Sequence, residues 1–264
     1  MSHTKTRRHE EGNACQVLSP LRVFVSSCEI IGREMVVLEE TSSTNDVAAQ
    51  WGREGRAEGA VVFAERQTAG RGRMGRRWES AGGLCFSVLL RPALADWTRL
   101  TTWAGVAVAR GIEAARPGCR AGLKWPNDIW LNGKKVAGIL CESEPGANGW
   151  VVVGIGVNIN GVPEEFRDSA TSLRKASYTL LDRQAVAAAL LRELDASYGT
   201  AFPEIVAEAE ARSVLKGRSV TIHAPTETYE AVAEGLEPDG SLRVRHEGRV
   251  QVISSGEVSV RCGI

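Results

Sequence analysis

The apolar and polar positions along the chain predict strands and helices in a mixed order up to Ser213. Short apolar runs bounded by turn residues predict four strands: Met35–Leu38, Ala60–Ala64, Leu84–Leu90 and Trp150–Val153. The run Leu84–Leu90 is apolar at nearly every position, as expected for a strand that is buried on both faces in the centre of a sheet.

Three longer helices are predicted among and after these strands. Between Asp96 and Arg116, apolar residues recur every three or four positions and form one face of a helix. A second helix is predicted after Asp182, whose short polar side chain suits an N-cap. The third extends from Phe202 to Ser213.

A hairpin is predicted in the middle of the chain. Asn132-Gly133 lies between two apolar runs, which is a strong signal for a two-residue turn. Pro126 must interrupt the strand before the turn, because proline cannot donate to a β-ladder. Strict alternation after the turn would place Lys135 on the same face as Ala137 and Ile139. We therefore expect Lys135 either at a sheet edge or directed into a polar pocket.

The pattern of apolar and polar positions changes after Lys216-Gly217. Short alternating segments follow, separated by the turn signals Asp239-Gly240 and Glu247-Gly248. They predict a small β-barrel that docks on the larger domain, because about 50 residues bury too little apolar surface to be stable alone. The predicted division is an N-terminal extension (1–34), a main domain (35–213) and a C-terminal domain (214–264).

Composition and charge narrow the function classes. The chain has 264 residues, and its 32 Lys and Arg balance its 32 Asp and Glu, so no overall field favours nucleic acid or a membrane surface. The cysteines form no Cys-x-x-Cys pair, which favours reduced thiols in a cytoplasmic protein. No signal peptide or membrane-spanning run is apparent. The histidines lie near the chain ends, so a His-dependent nucleophile in the central region is not expected.

The most distinctive stretch is rich in glycine and arginine and lies between Gln67 and Trp78; we call its part Gly70–Trp78 the arginine loop. Arginine supplies a permanently charged, forked donor for phosphate or carboxylate, and glycine lets the backbone approach a ligand. The stretch predicts an anion clamp, although a solvated basic loop would have the same composition. Gly70-x-Gly72-x-x-Gly75 also matches the dinucleotide fingerprint, but no helix pattern follows it as that fold requires.

A second polar stretch, Thr41-Ser42-Ser43-Thr44, precedes Asn45 and Asp46 at a predicted helix start. One of these residues is expected to cap the helix. The remaining hydroxyl and amide groups exceed what one cap needs and could face a small polar ligand. Farther along, Gly154 and Gly156 lie in or after a strand, where glycine often marks the close approach of a ligand or another backbone.

Taken in order, these motifs resemble the biotin protein ligases, over about Met35 to Arg261. The segments that support the resemblance are Gly70–Trp78, Lys124–Asp128, Gly133–Leu140 and Ser255–Ser259. It implies an α+β fold, with a mixed β-sheet and flanking helices similar to class II aminoacyl-tRNA synthetases, followed by an SH3-like barrel. It also implies that ATP activates biotin to biotinyl-5′-AMP, which then modifies a lysine of a biotin carboxyl carrier domain.

The resemblance also implies roles for individual residues. Arg71 and Arg73 would hold the phosphates and the adenylate, and Lys135 would bridge the carboxylate and α-phosphate oxygens; these three are the catalytic candidates and belong to both binding sets. The other biotin-binding candidates are Ser43, Thr44, Asn45, Gln67, Gly70, Gly72, Gly138 and Gly156. The other ATP-binding candidates are Trp78, Asn127, Asp128 and Asn158. Mg²⁺ is expected with ATP but not at a fixed site of its own.

Some features depart from the family pattern. Residues 1–34 show no helix-turn-helix pattern, so we expect no DNA-binding domain, no repressor role and no nucleic-acid partner. Some relatives have a tryptophan that stacks on adenine where this chain has Arg167–Thr171, with only Phe166 nearby. Met74 replaces an arginine of some relatives. What covers adenine, and whether the protein is a monomer or a homodimer, are left open.

Two other functions remain alternatives. A lipoate or octanoate ligase would need a long apolar slot, which the polar Ser43-Thr44-Asn45 disfavours. A non-catalytic biotin sensor would not need phosphate chemistry, and so would not require Arg71, Arg73 and Lys135.

Overall fold

The structure, a computed structural model, describes residues 28–79, 82–93, 99–146, 148–223, 227–254 and 256–260. In this part of the chain, helices pack on both faces of a seven-stranded sheet, and a five-stranded sheet follows. The expectation of no DNA-binding domain falls mostly on residues 1–27, which lie outside the described residues. The domain boundaries also stay a prediction.

The large sheet is mixed. Its strands are β1 (Met35–Thr41), β2 (Val61–Gln67), β3 (Leu84–Leu90), β4 (Gly122–Lys124), β5 (Asp128–Leu131), β6 (Lys134–Glu144) and β7 (Trp150–Val157). Their spatial order is β1-β2-β3-β7-β6-β5-β4, with β1 and β2 parallel and the other neighbours antiparallel. The neighbours β3 and β7 are buried along their whole length, which confirms the central position predicted for β3.

Three of the five α-helices in the described residues begin at a side-chain cap. The five helices are α1 (Thr44–Arg53), α2 (Leu100–Ala115), α3 (Leu173–Ser177), α4 (Arg183–Ser197) and α5 (Phe202–Ala211). Side-chain oxygens of Ser43, Ser172 and Asp182 accept backbone N–H bonds at the starts of α1, α3 and α4. The cap at Asp182 was predicted. The expected start of α2 at Asp96 lies outside the described residues, and α5 ends at Ala211 instead of Ser213.

The two faces of the sheet are covered differently. Helices α2, α4 and α5 contribute to the main core on one face, where the Phe63 and Phe86 rings stack with centroids 4.9 Å apart. On the other face, α1 packs Ala48 and Trp51 against Trp150 at one side only. The rest of that face, over β5, β6 and β7, carries the glycines and polar residues of the pocket described below.

The β5–β6 hairpin has the predicted turn, and the strand before it is interrupted as expected. Asn132 and Gly133 both adopt positive φ, 50° and 78°. Pro126 lies in the gap between β4 and β5, where no ladder hydrogen bond is needed from its nitrogen.

A β-bulge in this hairpin corrects the predicted facing of Lys135. Ile129 pairs with Ala137 and Trp130 pairs with Lys135, so Val136 is the extra residue. Val136 and Ala137 both enter the core, and Lys135 lines the pocket on the opposite face. The prediction that Lys135 and Ala137 share a face is therefore wrong, because strict alternation fails at a bulge.

The C-terminal sheet contains β8 (Ser219–His223), β9 (Thr228–Leu236), β10 (Leu242–His246), β11 (Arg249–Ile253) and β12 (Glu257–Val260), in the order β11-β10-β9-β8-β12. Strand β9 was not predicted, since its alanines and glutamates are weak strand formers. The small sheet docks on the main domain, where Trp125 Nε1 donates to the Gly240 carbonyl at 3.1 Å. Among the described residues, no helix is long and apolar enough to cross a membrane.

Candidate active site

A pocket of about 500 Å³ lies on the α1 side of the large sheet. It is bounded by the start of α1, strands β5, β6 and β7, the arginine loop, and Val258 of the C-terminal sheet. The sequence-predicted site residues that line it are Ser43, Thr44, Asn45, Gln67, Arg71, Gly72, Arg73, Trp78, Asn127, Asp128, Lys135, Gly138, Gly156 and Asn158. Gly70 is not among the lining residues. The structure thus brings together groups that are far apart in the sequence.

One end of the pocket is polar and buried. Ser43, Thr44 and Asn45 are each at most 4% exposed, because they start α1 directly above the sheet. Ser43 Oγ caps the helix by accepting from Asn45 N. Gln67 Oε1 accepts from Thr44 N at 2.7 Å and from Thr44 Oγ1 at 3.1 Å. The cap uses the hydroxyl of Ser43, and all three residues line the pocket; ligand binding by them stays a prediction.

Ser87 completes this end and was missed by the sequence reasoning. It is fully buried on β3, with Oγ 2.6 Å from Asn45 Oδ1 and 2.8 Å from Thr44 Oγ1. On the other side, Asn45 Nδ2 donates to Glu142 Oε2 at 2.6 Å. The available signal was one serine inside the apolar run of β3. We call Ser43, Thr44, Asn45, Gln67 and Ser87 the polar cluster.

The floor of the pocket is made of glycines. A Cβ atom at Gly156 would overlap the Trp78 indole, and one at Gly154 would overlap the Asn45 side chain. Gly138 likewise lies against the end of the Lys135 side chain. The indole of Trp78 therefore packs directly on the backbone of Gly156, and its Nε1 is buried with no hydrogen-bond partner among the described residues. Gly154 was noted in the sequence but not chosen as a site residue.

The opposite end of the pocket is charged. Lys135 Nζ lies 2.6 Å from Asp128 Oδ1, and the two residues are held on neighbouring strands of the β5–β6 hairpin. The same ammonium is 5.5 Å from the centroid of the Trp78 ring. Asn127 Nδ2 donates to the Ile139 carbonyl at 2.8 Å, which holds the interrupted strand to β6.

Asn158 contributes a free acceptor to the pocket wall. Its side chain is 3% exposed, and Nδ2 donates to the Thr171 carbonyl at 3.2 Å. Its Oδ1 is buried without a hydrogen-bond partner in the described part of the chain. Because an unpaired buried acceptor costs free energy, this oxygen is expected to bind a donor when a ligand is present.

The arginine loop is a short hairpin, and the next element in the described part of the chain is strand β3, where the dinucleotide fold would require a helix. Trp78 N donates to the Gly70 carbonyl at 2.9 Å, and Gly72 N donates to the Arg76 carbonyl at 2.6 Å. The turn passes through Met74 and Gly75 at φ of 55° and 72°. Gly70 allows the two arms of the hairpin to approach each other, since a Cβ atom there would overlap the Trp78 carbonyl oxygen.

The side chain of Arg71 extends from the arginine loop and contacts two carboxylates. Its Nη1 and Nη2 bind Asp46 Oδ2 and Oδ1 at 3.1 and 2.6 Å, and Nη2 is 3.3 Å from Glu142 Oε2. The hydrogen bonds from Arg71 hold the pKa of Asp46 below the ordinary aspartate range. Asp46 and Glu142 were not predicted as site residues.

Within the described residues, no group of three or more His, Cys, Asp or Glu side chains is arranged to hold a metal ion. Among the described residues, no disulfide joins Cys28, Cys85, Cys119 and Cys141, and Cys85 lines the pocket.

Comparison with known proteins supports the resemblance. Residues 37–160 match the biotin/lipoate A/B protein ligase family, and residues 216–261 match the biotin protein ligase C terminal domain. The biotin–[acetyl-CoA-carboxylase] ligase of Mycobacterium tuberculosis is 37% identical over 238 residues, covering 86% of this chain and 88% of the relative. The ligase of the same name from Paracoccus denitrificans is 36% identical and covers 84% and 98%, respectively.

A solved structure matches at the level of the fold as well. The biotin protein ligase from Aquifex aeolicus, in complex with biotin and ATP, has a TM-score of 0.73 and 30% identity, covering 87% of this chain and 99% of that one. The expected fold class, a mixed sheet with flanking helices and a small C-terminal β domain, is thereby confirmed. The chain therefore belongs to the biotin/lipoate A/B protein ligase family and, within it, to the biotin protein ligases.

Proposed function

We propose that this chain activates biotin with ATP and transfers the biotinyl group to a lysine of a biotin carboxyl carrier domain. One observation carries the proposal: a single glycine-floored pocket joins a buried polar cluster at one end to a Lys–Asp pair at the other. A small polar ring would bind at the first end. A carboxylate and a nucleotide would meet at the second.

The polar cluster would bind the ureido ring of biotin. Ser43, Thr44 and Asn45 present hydroxyl and amide groups that are already buried and hydrogen-bonded to one another or to β2 and β3. Such fixed groups bind a polar ring without being ordered on binding. The apolar remainder of biotin would lie along the pocket beside Trp78, whose indole already packs on the backbone of Gly156.

Adenylation would occur near Lys135. A biotin carboxylate oxygen attacks the α-phosphorus of ATP, the bond to the bridging β-phosphate oxygen breaks, and pyrophosphate leaves. Negative charge on the phosphoryl oxygens grows as the reaction proceeds, and the ammonium of Lys135 would stabilise it. Asp128 holds Lys135 at 2.6 Å, so we assign Asp128 as the residue that orients it. Arg73, at the pocket wall, would bind the phosphates.

Transfer would follow in the same pocket. The acceptor lysine, as its free amine, attacks the acyl carbon of biotinyl-5′-AMP, the bond from that carbon to the phosphate oxygen breaks, and AMP leaves while the amine loses a proton. A mixed anhydride also reacts with water, so it must be shielded until the lysine arrives. The arginine loop and Trp78 line the pocket in which the adenylate would lie.

Magnesium would arrive with the nucleotide and neutralise part of its phosphate charge. Oxygen donors suit this ion. The pocket offers the Asp128 carboxylate and the unpaired Oδ1 of Asn158. These residues fit an ion that is shared with the phosphates better than one that is bound by the protein alone. We also propose a cytoplasmic location, because the sequence has no Cys-x-x-Cys pair and no disulfide joins the described cysteines.

The test is intact-mass spectrometry of a purified biotin carboxyl carrier domain after incubation with the full chain, biotin, ATP and magnesium. We expect a gain of one biotinyl group that depends on ATP. A reaction with lipoate in place of biotin measures the selectivity of the polar cluster. If neither carrier modification nor pyrophosphate release is detected, the proposed activity is wrong.

A further inference from the structure

Arg71 contacts two carboxylates from neighbouring elements. It forms a bidentate pair with Asp46, in the first turn of α1, and a further contact with Glu142 on β6. The N–H groups of Nη1 and Nη2 that bind Asp46 and Glu142 cannot bind a phosphate at the same time. The contacts of Arg71 in this structure and its expected contact with ATP are therefore alternatives.

The two carboxylates also connect the arginine loop to the polar cluster. Glu142 Oε2 accepts from Asn45 Nδ2 at 2.6 Å, and Asp46 directly follows Asn45 in α1. Asp46 is in turn fixed by Ser42 Oγ at 3.1 Å. One guanidinium thus joins the loop to the elements that carry the polar cluster.

We infer that Asp46 and Glu142 are positioning residues that hold Arg71, and through it keep the arginine loop folded over biotin before the nucleotide binds. The inference rests on the proposed function for the identity of the ligand. It assigns Arg71 a first role in holding the loop closed, which precedes any contact with phosphate. The ordered loop then retains biotin, because the ligand cannot leave until the ion pairs open.

The chain offers a matched control. Glu144, also on β6, pairs with Arg53 of α1 at 3.1 Å, and the side chains of both are 51% exposed. Glu144→Gln therefore removes an exposed ion pair between the same two elements without touching the loop. Asp46→Asn keeps a polar side chain near Ser42 and in the first turn of α1, so the helix is expected to remain folded.

The first experiment needs no ligand. Hydrogen exchange of the Gly72 and Trp78 amides reports the loop hairpin directly, because both donate within it. We expect exchange about five- to tenfold faster in Asp46→Asn, and unchanged exchange in Glu144→Gln. Equal exchange in Asp46→Asn and the original chain would overturn the inference, as would an equal acceleration in the control.

The second experiment measures dissociation of radiolabelled biotin from the full chain without ATP. Asp46→Asn and Arg71→Gln should each accelerate it about five- to tenfold, and the double variant should add little, because both remove the same contact. Asp46→Glu should restore slow dissociation at least in part. If Arg71 acts only on phosphate, Arg71→Gln will leave biotin dissociation unchanged, and the inference is wrong. If the original chain binds no biotin, the proposed function fails, and hydrogen exchange alone decides the loop contact.

Discussion

The two sides of the pocket are built in opposite ways. The polar cluster lies on a helix start and on strands, and its members are held by their neighbours; Gln67 is half-buried, Ser87 is fully buried and Asn45 is 4% exposed. The arginine loop lies at the surface, where Arg71 and Asp46 are 38% and 45% exposed. One side is fixed by the fold itself, and the other by a few surface contacts.

This difference assigns ligand recognition to the polar cluster and covering of the ligand to the arginine loop. A buried hydrogen bond that loses its partner costs about 1–3 kcal/mol, whereas an exposed ion pair contributes about 0–1 kcal/mol. The cluster can therefore set ligand affinity, while the loop can open and close at a small cost. Lys135 and Asp128 belong with the rigid side, because both are on strands of one hairpin.

The largest effect on activity is expected from a substitution at the rigid, charged end of the pocket. Lys135→Ala should lower the rate of adenylation about a hundredfold or more, since its charge stabilises the transition state, while biotin binding is retained. Pyrophosphate release and biotin binding measure the two separately. Lys134→Ala is the control, because Lys134 donates to the Arg167 carbonyl outside the pocket. Full adenylation by Lys135→Ala would remove this residue from the mechanism.

The second largest effect is expected from a substitution in the buried polar cluster. Ser87→Ala deletes the hydroxyl shared by Asn45 and Thr44, and should weaken biotin binding about ten- to a hundredfold, because the cluster loses its fixed geometry. Isothermal titration with biotin measures the change. Ser143→Ala, at an exposed serine of β6, should change nothing. An unaltered affinity in Ser87→Ala would mean that the cluster does not bind the ring.

A smaller effect is expected on the loop side. Arg73→Gly should speed the loss of the adenylate about tenfold, because one cationic contact at the pocket wall disappears and the loop gains backbone freedom. Mass spectrometry of a bystander protein detects the escaped adenylate as biotin on surface lysines. Arg218→Gly, outside the pocket lining, is the control. If bystander labelling does not rise, the loop does not retain the adenylate.

The smallest effect concerns pH. The pKa of Asp46 is lowered, first by its hydrogen bond from Arg71 and also by the charges of Arg71 and Arg53. A lowered carboxyl pKa means that the loop contact is present at neutral pH and is lost only as the pH falls below the ordinary aspartate range, roughly 4. Biotin dissociation should thus be constant from pH 7 to about 4 and accelerate below it. Asp46→Asn should lack this acid-induced step, whereas a step near pH 6 would point to a different group.

Local signals predicted much of this molecule. The Asn132-Gly133 turn, the cap at Asp182 and the central strand Leu84–Leu90 all follow from neighbouring residues, and the structure has each of them. The site residues could be chosen in advance because the arginine loop and Lys124–Asp128 form ordered motifs that resemble a known family. Their individual roles stay predictions.

Other features depend on contacts between distant segments. Ser87 meets Asn45 from 42 positions away, and Glu142 meets Asn45 from 97. No local pattern distinguishes such residues from an ordinary strand serine or an exposed glutamate. The bulge at Val136 also could not be predicted from a local pattern, because the pairing of β6 with β5 decides which face of the sheet Lys135 lies on.

By itself, the sequence determined the types of the main elements, the turn of the central hairpin and the chemical character of the pocket: hydroxyls and amides, glycines and cations. These follow from backbone preferences and side-chain chemistry, which act within a few residues. Only the tertiary structure decided that the polar cluster closes through Ser87, that Lys135 faces Asp128 across a bulge, and that Arg71 is held by Asp46 and Glu142. The physical reason is that strand pairing and packing fix these distances, and both depend on residues far apart in the chain.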